Sequence, residues 1–397
     1  MNIPEKKFKI IWVTRKQLDI NLDRVTWLET LRILGNMGHK VILLSMYKKD
    51  KYSFGLNGQI KYLPSIKTKV LNYLISHLLY FIYLCYYLLT ERPNIVIFHP
   101  SVFLSVIPFT VLRKIKIIKI KFVMDVRTIP VEIHGISDRA KQILFDLSIY
   151  ASKYFFDGLS VITPFMKKVL TDQYKLKTKN IGIWTSGVSL ELFDYKQHDN
   201  EYVKRLQNKW NLQNKFVIIY HGVFTPSRGL HESIEAINLL RGKCPDIVLL
   251  LVGDGSDRNF LSGLTERFEL RNHVIITGPV RHDYIPYYIK LSDIGILPFP
   301  NLFWWRVSSP IKLMEYMAMA KPVIVSDIEA HRDVIKSNGC GIFVKSNAPV
   351  DLANGILFAY ENKAQMKQMG LLGRKIVEER FTWQKQVVNL DKYLQGI

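Results

Sequence analysis

The sequence predicts an α/β protein made of two doubly wound domains, and three observations carry that expectation. Short β-branched apolar runs, such as 41–46, 95–98, 247–252 and 323–325, alternate with stretches of helical length along the chain. Several runs in the second half end directly in glycine, at Gly222, Gly253 and Gly278, the place where open parallel sheets receive ligands. The chain, at 397 residues, is long enough for two cores, and turn signals put the boundary near residue 190. The expected domains are 1–190 and 191–378.

Composition narrows the function. The three cysteines, Cys85, Cys244 and Cys340, are scattered in apolar or glycine-rich surroundings, which argues against disulfides and zinc and for a reducing compartment. The opening stretch M-N-I-P-E-K-K-F-K-I-I-W-V has too short an apolar run for a signal peptide and reads as a strand, so the expected location is cytoplasmic. The net charge of +21 is unevenly spread: residues 1–190 hold 29 Lys and Arg against 12 Asp and Glu, and the remainder 26 against 22. A basic first half suits anionic lipid, a phosphorylated acceptor or nucleic acid.

In the first half, Phe8 to Val13 reads as a strand with Arg15 and Lys16 at its carboxyl end; 25–34 is helical, closed by Gly35, and 41–46 is the second strand. Residues 70–89 carry no charge and are long enough to span a bilayer. Their tyrosines recur at helical spacing, and the flanking strands should join one sheet. A buried domain helix is therefore the first reading and an interfacial membrane helix the second. A further apolar helix, 101–112, leads into R-K-I-K-I-I-K-I-K (113–121). Lysines among aliphatic residues suit an anionic membrane surface better than nucleic acid, which prefers arginines and stacking aromatics. The expected placement is peripheral, at the inner face of the cell membrane, with no nucleic-acid partner. Asp125 and Arg127 follow the strand 122–124, where polar side chains point into a cleft; they either position an acceptor or pair to brace the turn. His134 is a further candidate, although a lone histidine is more often structural. A helix over 146–156 and a strand over 158–163 complete this half.

The second half opens with a strand at 216–220 and the turn H-G-V-F-T-P-S-R-G-L (221–230). Gly222 permits close backbone approach, and Arg228-Gly229 opens a helix, so a guanidinium and unpaired N–H groups face one spot suited to a diphosphate. Strands at 247–252 and 274–277 end in G-D-G and G-P-V, with Asp254 read as a turn residue. A helix (284–291), a strand (294–298) and the aromatic loop N-L-F-W-W-R (301–306) follow. Ser308-Ser309-Pro310 reads as a helix start, with serine at the N-cap and proline in the first turn; the helix runs to Met319 and Pro322 stops it. Glu315, two turns after Ser308 on the same face, is either available to a diol or a solvated residue paired with Lys312. No D-x-D motif occurs, so neither a metal nor another cofactor is expected.

The stretch P-I-K-L-M-E-Y-M-A (310–318) resembles the donor-binding signature of retaining glycosyltransferases of family 4, in their bacterial and archaeal surface-polysaccharide type. That family has the GT-B fold, two Rossmann-like domains facing a cleft. The 221–230 turn, M-D-V-R-T-I-P (124–130), G-L-S-V-I-T-P-F-M-K (158–167) and N-I-G-I-W-T-S-G-V-S-L-E-L-F (180–193) are similar to further family segments, and 379–394 to the helix that crosses back to the first domain. The resemblance implies a hexosyl-type transfer, with retention, from a nucleotide-sugar donor to a lipid-linked or glycan acceptor. It implies roles as well. Arg228, Lys312 and the N–H groups at Ser308 and Ser309 would hold the diphosphate, Glu315 the ribose, Gly222, Gly253, Gly278 and Val280 the rest of the nucleotide, and Asp125 and Arg127 the acceptor. Four positions depart from the pattern: Val307 for a first glutamate, Val223 for an arginine, Ala320 for a glycine and Asp333 for a glutamate. A nucleotide-sugar epimerase of the same fold, a non-catalytic basic membrane-binding protein and an inverting transferase are the alternatives. Truncating Glu315 or Arg228 is expected to abolish turnover while shifting the melting temperature by no more than a few degrees.

Overall fold

The computed structural model describes residues 6–17, 24–46, 60–64, 69–130, 135–197, 199–335 and 339–397; His134 lies outside them. The chain divides into two compact units, Met1–Thr185 with Trp383–Ile397, and Ser186–Thr382.

The first unit holds seven strands: β1 (Lys9–Gln17), β2 (Lys40–Met46), β3 (Ile60–Leu63), β4 (Ile95–Phe98), β5 (Lys121–Val126), β6 (Gly158–Val161) and β7 (Ile181–Ile183). All pair in parallel, in the order β3-β2-β1-β4-β5-β6-β7, so the winding reverses between β1 and β4. Every residue of β4 and β6 is buried, as a parallel sheet covered on both faces requires. Right-handed crossovers put the connection from β1 to β2 on one face and those leading from β3 out to β6 on the other. On the first face, Trp12 and Trp27 meet edge to face at 5.0 Å and Trp12 and Trp184 at 5.7 Å. The helix Trp383–Gly396 closes that core with Trp383, Val387, Leu390 and Leu394. It lies so close to β7 that a Cβ on Gly182 would come within 2.4 Å of the Tyr393 ring.

On the second face the helices Lys69–Thr90, Phe103–Lys114 and Ile136–Phe155 lie side by side. The first corrects the reading of 70–89 as a buried helix. Ser76, Tyr80, Leu84 and Tyr87 point inward, but Leu74, Leu78, Ile82 and Tyr86, two residues out of phase, are exposed. One helical layer covers this side of the sheet, so only half of each helix surface can be buried. The helix Ile136–Phe155 also starts ten residues before the expected 146, because apolar residues on both of its faces blur the periodicity that marks a helix start.

The second unit has six parallel strands: β8 (Phe216–Val223), β9 (Ile247–Asp254), β10 (Val274–Gly278), β11 (Ile294–Leu297), β12 (Val323–Ser326) and β13 (Ile342–Val344). Their order, β10-β9-β8-β11-β12-β13, reverses between β8 and β11, and ligands of such sheets sit outside the carboxyl ends at that point. The helix Ile311–Ala318 feeds β12. Ala320 leaves it in the left-handed conformation, φ +53°, a strain of about 1–2 kcal/mol for a residue with a Cβ. Arg374 compensates by donating to the helix-end carbonyl of Ala318 at 2.6 Å and to that of Phe193 at 2.8 Å.

The expected cap at Ser308 is not formed. Pro310 occupies the cap position of Ile311–Ala318 and no side chain caps it. A four-residue helix, Phe303–Arg306, precedes it, and both the hydroxyl and the N–H of Ser308 donate to the Trp305 carbonyl, at 2.8 and 3.2 Å. Proline disfavours a helical residue before it, which leaves Ser309 to bridge the two helices. Its Oγ accepts from the Ser186 N–H at 3.2 Å.

Because Leu390 is fully buried against the Trp12 core, Leu390→Ala is expected to destabilise the first unit by about 2–5 kcal/mol. Urea unfolding followed by limited proteolysis should show 1–185 becoming susceptible before 186–382.

Candidate functional site

The carboxyl end of β8 is built for close approach. Gly222 has φ +123°, and a Cβ there would lie 2.3 Å from Lys312 Cε. Only glycine lets the lysine stem cross the strand end. On the neighbouring strand, Gly253 at φ +151° would place a Cβ 1.9 Å from the Gly222 carbonyl oxygen, so the two backbones touch. The helix Ile311–Ala318 thus sends Lys312 over the switch point of the sheet. Burial, and then the charge of Arg228, push the Lys312 ammonium down to about 8.

Arg228 reaches the same region from the other side. Gly229 turns the chain at φ +73°, against the Pro298 carbonyl, and starts the helix Leu230–Leu240. The Arg228 guanidinium lies over the Trp305 ring at 4.2 Å and near the Phe299 ring at 5.3 Å. Those rings stack at 4.5 Å, and Trp305 Nε1 donates to the Ser227 carbonyl at 2.7 Å. The Phe299 and Trp305 rings are therefore a platform that aims the guanidinium. Arg228 Nε is buried with no hydrogen-bond partner among the described residues, a donor held ready for an anion.

Glu315 is 3% exposed, which overturns the reading of it as a solvated helix residue. Its Oε1 accepts from His282 Nε2 at 2.7 Å, and its Oε2 lies 3.2 Å from His221 Nε2. Burial alone would raise the carboxyl, but the hydrogen bonds and charges of the two histidines hold it well below the usual carboxylate range. Burial likewise lowers the His282 imidazole, yet its bond to Glu315 and the charges of Glu315 and Asp283 together outweigh that and leave it above the ordinary value. Burial wins at His221, which is pushed down despite the same carboxylate. The two histidines beside one carboxylate are thus shifted in opposite directions. Neither histidine was anticipated from the sequence. His221 stands beside Gly222 at the strand end, which was a readable signal; His282, in the turn after β10, left none.

Around this centre Val280 packs half-buried against the core, and Gly278 (φ +84°) lies under the Arg258 guanidinium. Asp254 accepts from the Gly255 N–H at 2.9 Å and pairs with Arg258 at 3.5 Å, as a turn residue would. Val307 is buried. Arg306, beside it, is neutralised by a two-bonded pair with Glu329 at 2.8 and 2.5 Å. Among the described residues, no three His, Cys, Asp or Glu side chains gather as metal ligands.

Asp125 and Arg127 belong to the first unit, and both clasp Trp184. Asp125 Oδ1 accepts from Trp184 Nε1 at 3.0 Å and from Ser160 Oγ at 2.6 Å, and the Arg127 guanidinium lies 4.0 Å over the indole. At the carboxyl end of β1, Arg15 sits over the Tyr73 ring at 4.5 Å, and His77 shares a 2.7 Å hydrogen bond with Ser105.

Comparison with known proteins places this arrangement. Residues 203–376 match the model of the family described as glycosyl transferases group 1. YtcC of Bacillus subtilis (strain 168), a protein named as a glycosyltransferase, is 25% identical over 259 residues, 62% of either chain. The chain spans about three fifths of the length of the first curated relatives it matches. A glycosyltransferase from Rickettsia africae superposes with a TM-score of 0.77 at 20% identity over 98% of both chains. Anabaena HepE in complex with UDP and glucose superposes at 0.74 and 14% identity, over 98% of this chain and all of that one. The fold is therefore GT-B, with two Rossmann-like units.

Replacing Glu315 by alanine strips an acceptor from two histidines in a buried site, at a cost of about 1–3 kcal/mol, or about 2–12 °C in melting temperature. That range begins within the few degrees expected from the sequence and extends above it. The isosteric Glu315→Gln should drop the His282 pKa from above 6.5 to below it, read from its ring carbon resonances. The stabilisation carried by this raised histidine is full below pH 6.5 and fades as pH climbs through its folded value.

Proposed function

We propose that the protein is a retaining glycosyltransferase that takes a sugar from a nucleoside-diphosphate donor and passes it to a lipid-linked or polysaccharide acceptor. The observation that carries this reading is the meeting of Arg228, Lys312 and the Gly222 backbone with a buried carboxylate, Glu315, at the switch point of the second sheet. In this reading the two cations take the diphosphate. Glu315 accepts from the ribose hydroxyls, with His282 close enough to share the bond. Val280 and Gly278 line the base, and Gly253 lets the nucleotide lie against the strand end. The N–H of Ser308 is already spent on Trp305, so the helix contribution falls to Ser309 and the first turn after it.

The chemistry follows from where charge develops. As the bond from the anomeric carbon to the β-phosphate oxygen breaks, negative charge grows on the diphosphate and the sugar becomes oxocarbenium-like. Arg228 and Lys312, fixed by aromatic and glycine packing, meet that charge without reorganising, which is the work a metal ion would otherwise perform. Retention fits an acceptor oxygen arriving on the face the diphosphate leaves. Asp125 and Arg127, locked around Trp184, are the residues proposed to set the acceptor side. The hexosyl class of the sugar follows from the resemblance to family 4 rather than from any contact.

The direct test is donor turnover with a panel of nucleotide sugars, beginning with UDP-sugars because the HepE complexes contain UDP, and product configuration read by NMR. Sugar interconversion without acceptor would favour an epimerase, and an inverted product would sink the retaining assignment. Arg228→Ala is expected to lower kcat/KM by about 100-fold or more. Since the free Lys312 ammonium titrates at about 8 and a bound diphosphate must raise it, nucleotide affinity should fall about tenfold between pH 7 and pH 9. Lys312→Met should bind weakly and lose that pH dependence, as measured by calorimetry.

A further inference from the structure

We propose that the outer surface of the helical layer Lys69–Thr90, Phe103–Lys114 and Ile136–Phe155 docks the protein onto an anionic lipid bilayer. The helices pack in that order against the first sheet, and each carries an apolar stripe on the side turned away from it. On the first, Leu74, Leu78, Ile82 and Tyr86 recur every four residues, opposite the buried Ser76, Tyr80 and Leu84. On the second, Leu104 and Val111 continue into Ile115 and Ile117, which are 61% and 65% exposed. On the third, Ile143, Leu147, Tyr150 and Tyr154 repeat at i, i+4, i+7 and i+11, opposite Phe145, Ser148 and Ile149. A helical layer facing water should be polar on this side. Three neighbouring stripes make an apolar patch that an isolated chain does not leave uncovered without reason.

Charge decides what covers it. The helices Lys69–Thr90 and Phe103–Lys114 contain no Asp or Glu. All three run parallel, so their C-terminal ends lie at one rim of the patch, where Lys114, Lys116, Lys119 and Lys153 are exposed. The Lys114 and Lys153 ammonium groups lie over the Phe155 and Tyr150 rings at 4.7 and 5.2 Å, so positive charge and apolar surface meet at this rim. The acids nearby are occupied: Asp138 pairs with Lys141, Asp157 with Arg113, and Asp146 accepts from Gln142 and Tyr174. An apolar face rimmed by lysines that pair with no carboxylate among the described residues matches acyl chains below a layer of anionic headgroups. A second copy of this chain would set the lysine rims against each other. The helix Lys69–Thr90 contains an 18-residue window apolar enough to cross a membrane, but its inward stripe is bound to the sheet, with the Tyr80 hydroxyl donating to the Thr14 carbonyl at 2.7 Å. It therefore lies along the surface rather than through it.

The experiment is cosedimentation of the full chain with phosphatidylcholine vesicles containing or lacking phosphatidylglycerol, beside light scattering of the free protein. Binding is expected only to the anionic vesicles and should weaken with salt. Lys116→Glu with Lys119→Glu should lower the partition coefficient by more than tenfold, since each basic residue near such a surface contributes about fivefold. Ile82→Ser with Leu147→Ser should lower it comparably at any salt concentration. All four side chains are exposed, so melting temperatures should stay at the wild-type value and separate lost docking from lost folding. Failure of the wild type to bind anionic vesicles overturns the proposal. So does equal binding by the serine variant, or a wild-type dimer that the serine substitutions dissociate.

Discussion

A carboxylate removed from water has to be compensated, and the second unit is arranged around compensating Glu315. Burial acts to neutralise it; His282 and His221 act to keep it ionised, and they win. Keeping it ionised fixes the neighbours in turn. The His221 N–H is anchored by the Tyr316 hydroxyl at 3.1 Å, so the strand end and the helix bearing Glu315 are tied through adjacent residues. Gly222 follows immediately, because the Lys312 stem needs the space a side chain would fill. One electrostatic requirement thus orders His221, Gly222, Lys312, Glu315 and Tyr316 together. The sheet's change of direction between β8 and β11 supplies the place.

The first unit obeys a different constraint. Its two sheet faces are covered to unequal finish. One is sealed by the tryptophan cluster and the helix Trp383–Gly396, with Trp184 held at once by Asp125 and Arg127. The other is sealed inward and left apolar outward. The surplus of basic over acidic residues in 1–190 falls partly along that outward layer, where two lysine ammonium groups lie over aromatic rings. One face of the sheet is thus closed by its own chain, while the helices on the other leave apolar residues exposed.

How much of this was legible depends on how local the signal is. The strands were readable because a parallel sheet buried on both faces demands continuous β-branched runs, and Ile247 to Val252 or Val323 to Val325 supply them. Arg228 could be singled out from its place between a strand end and a helix start, whereas position left Glu315 open between a diol and a solvated pair with Lys312, and only the resemblance favoured the first. What surrounds Glu315 was not legible. His282 is 33 residues away in sequence and meets the carboxylate only because the turn after β10 comes back to the switch point. The cap at Ser308 was misread for a local reason, since the aromatic residues 303–306, read as loop, form a helix that takes up both serine donors. The helix over 69–90 was half legible: its tyrosine face fits a buried stripe, but the apolar opposite face has the same composition. Periodicity cannot separate two apolar faces.

The two valines in the donor half close the argument on charge. Val223 stands where the resembled pattern has an arginine, and Val307 where it has a glutamate. Losing either alone would change the charge of a largely desolvated pocket, but losing both removes one cation and one anion together. Val307 is buried, and Arg306 beside it is cancelled by Glu329, so neither adds charge to the site. What remains is Arg228 and Lys312, with His282 and His221 beside them, against the single carboxylate of Glu315. That excess of positive charge is held with one guanidinium donor buried and unsatisfied and one ammonium forced toward its neutral form. A diphosphate relieves both conditions at once, pairing the donor and restoring the proton to the lysine, whereas a neutral sugar relieves neither. Under the proposed function, the anion is therefore the part of the donor that these residues hold, and the sugar is carried in by it.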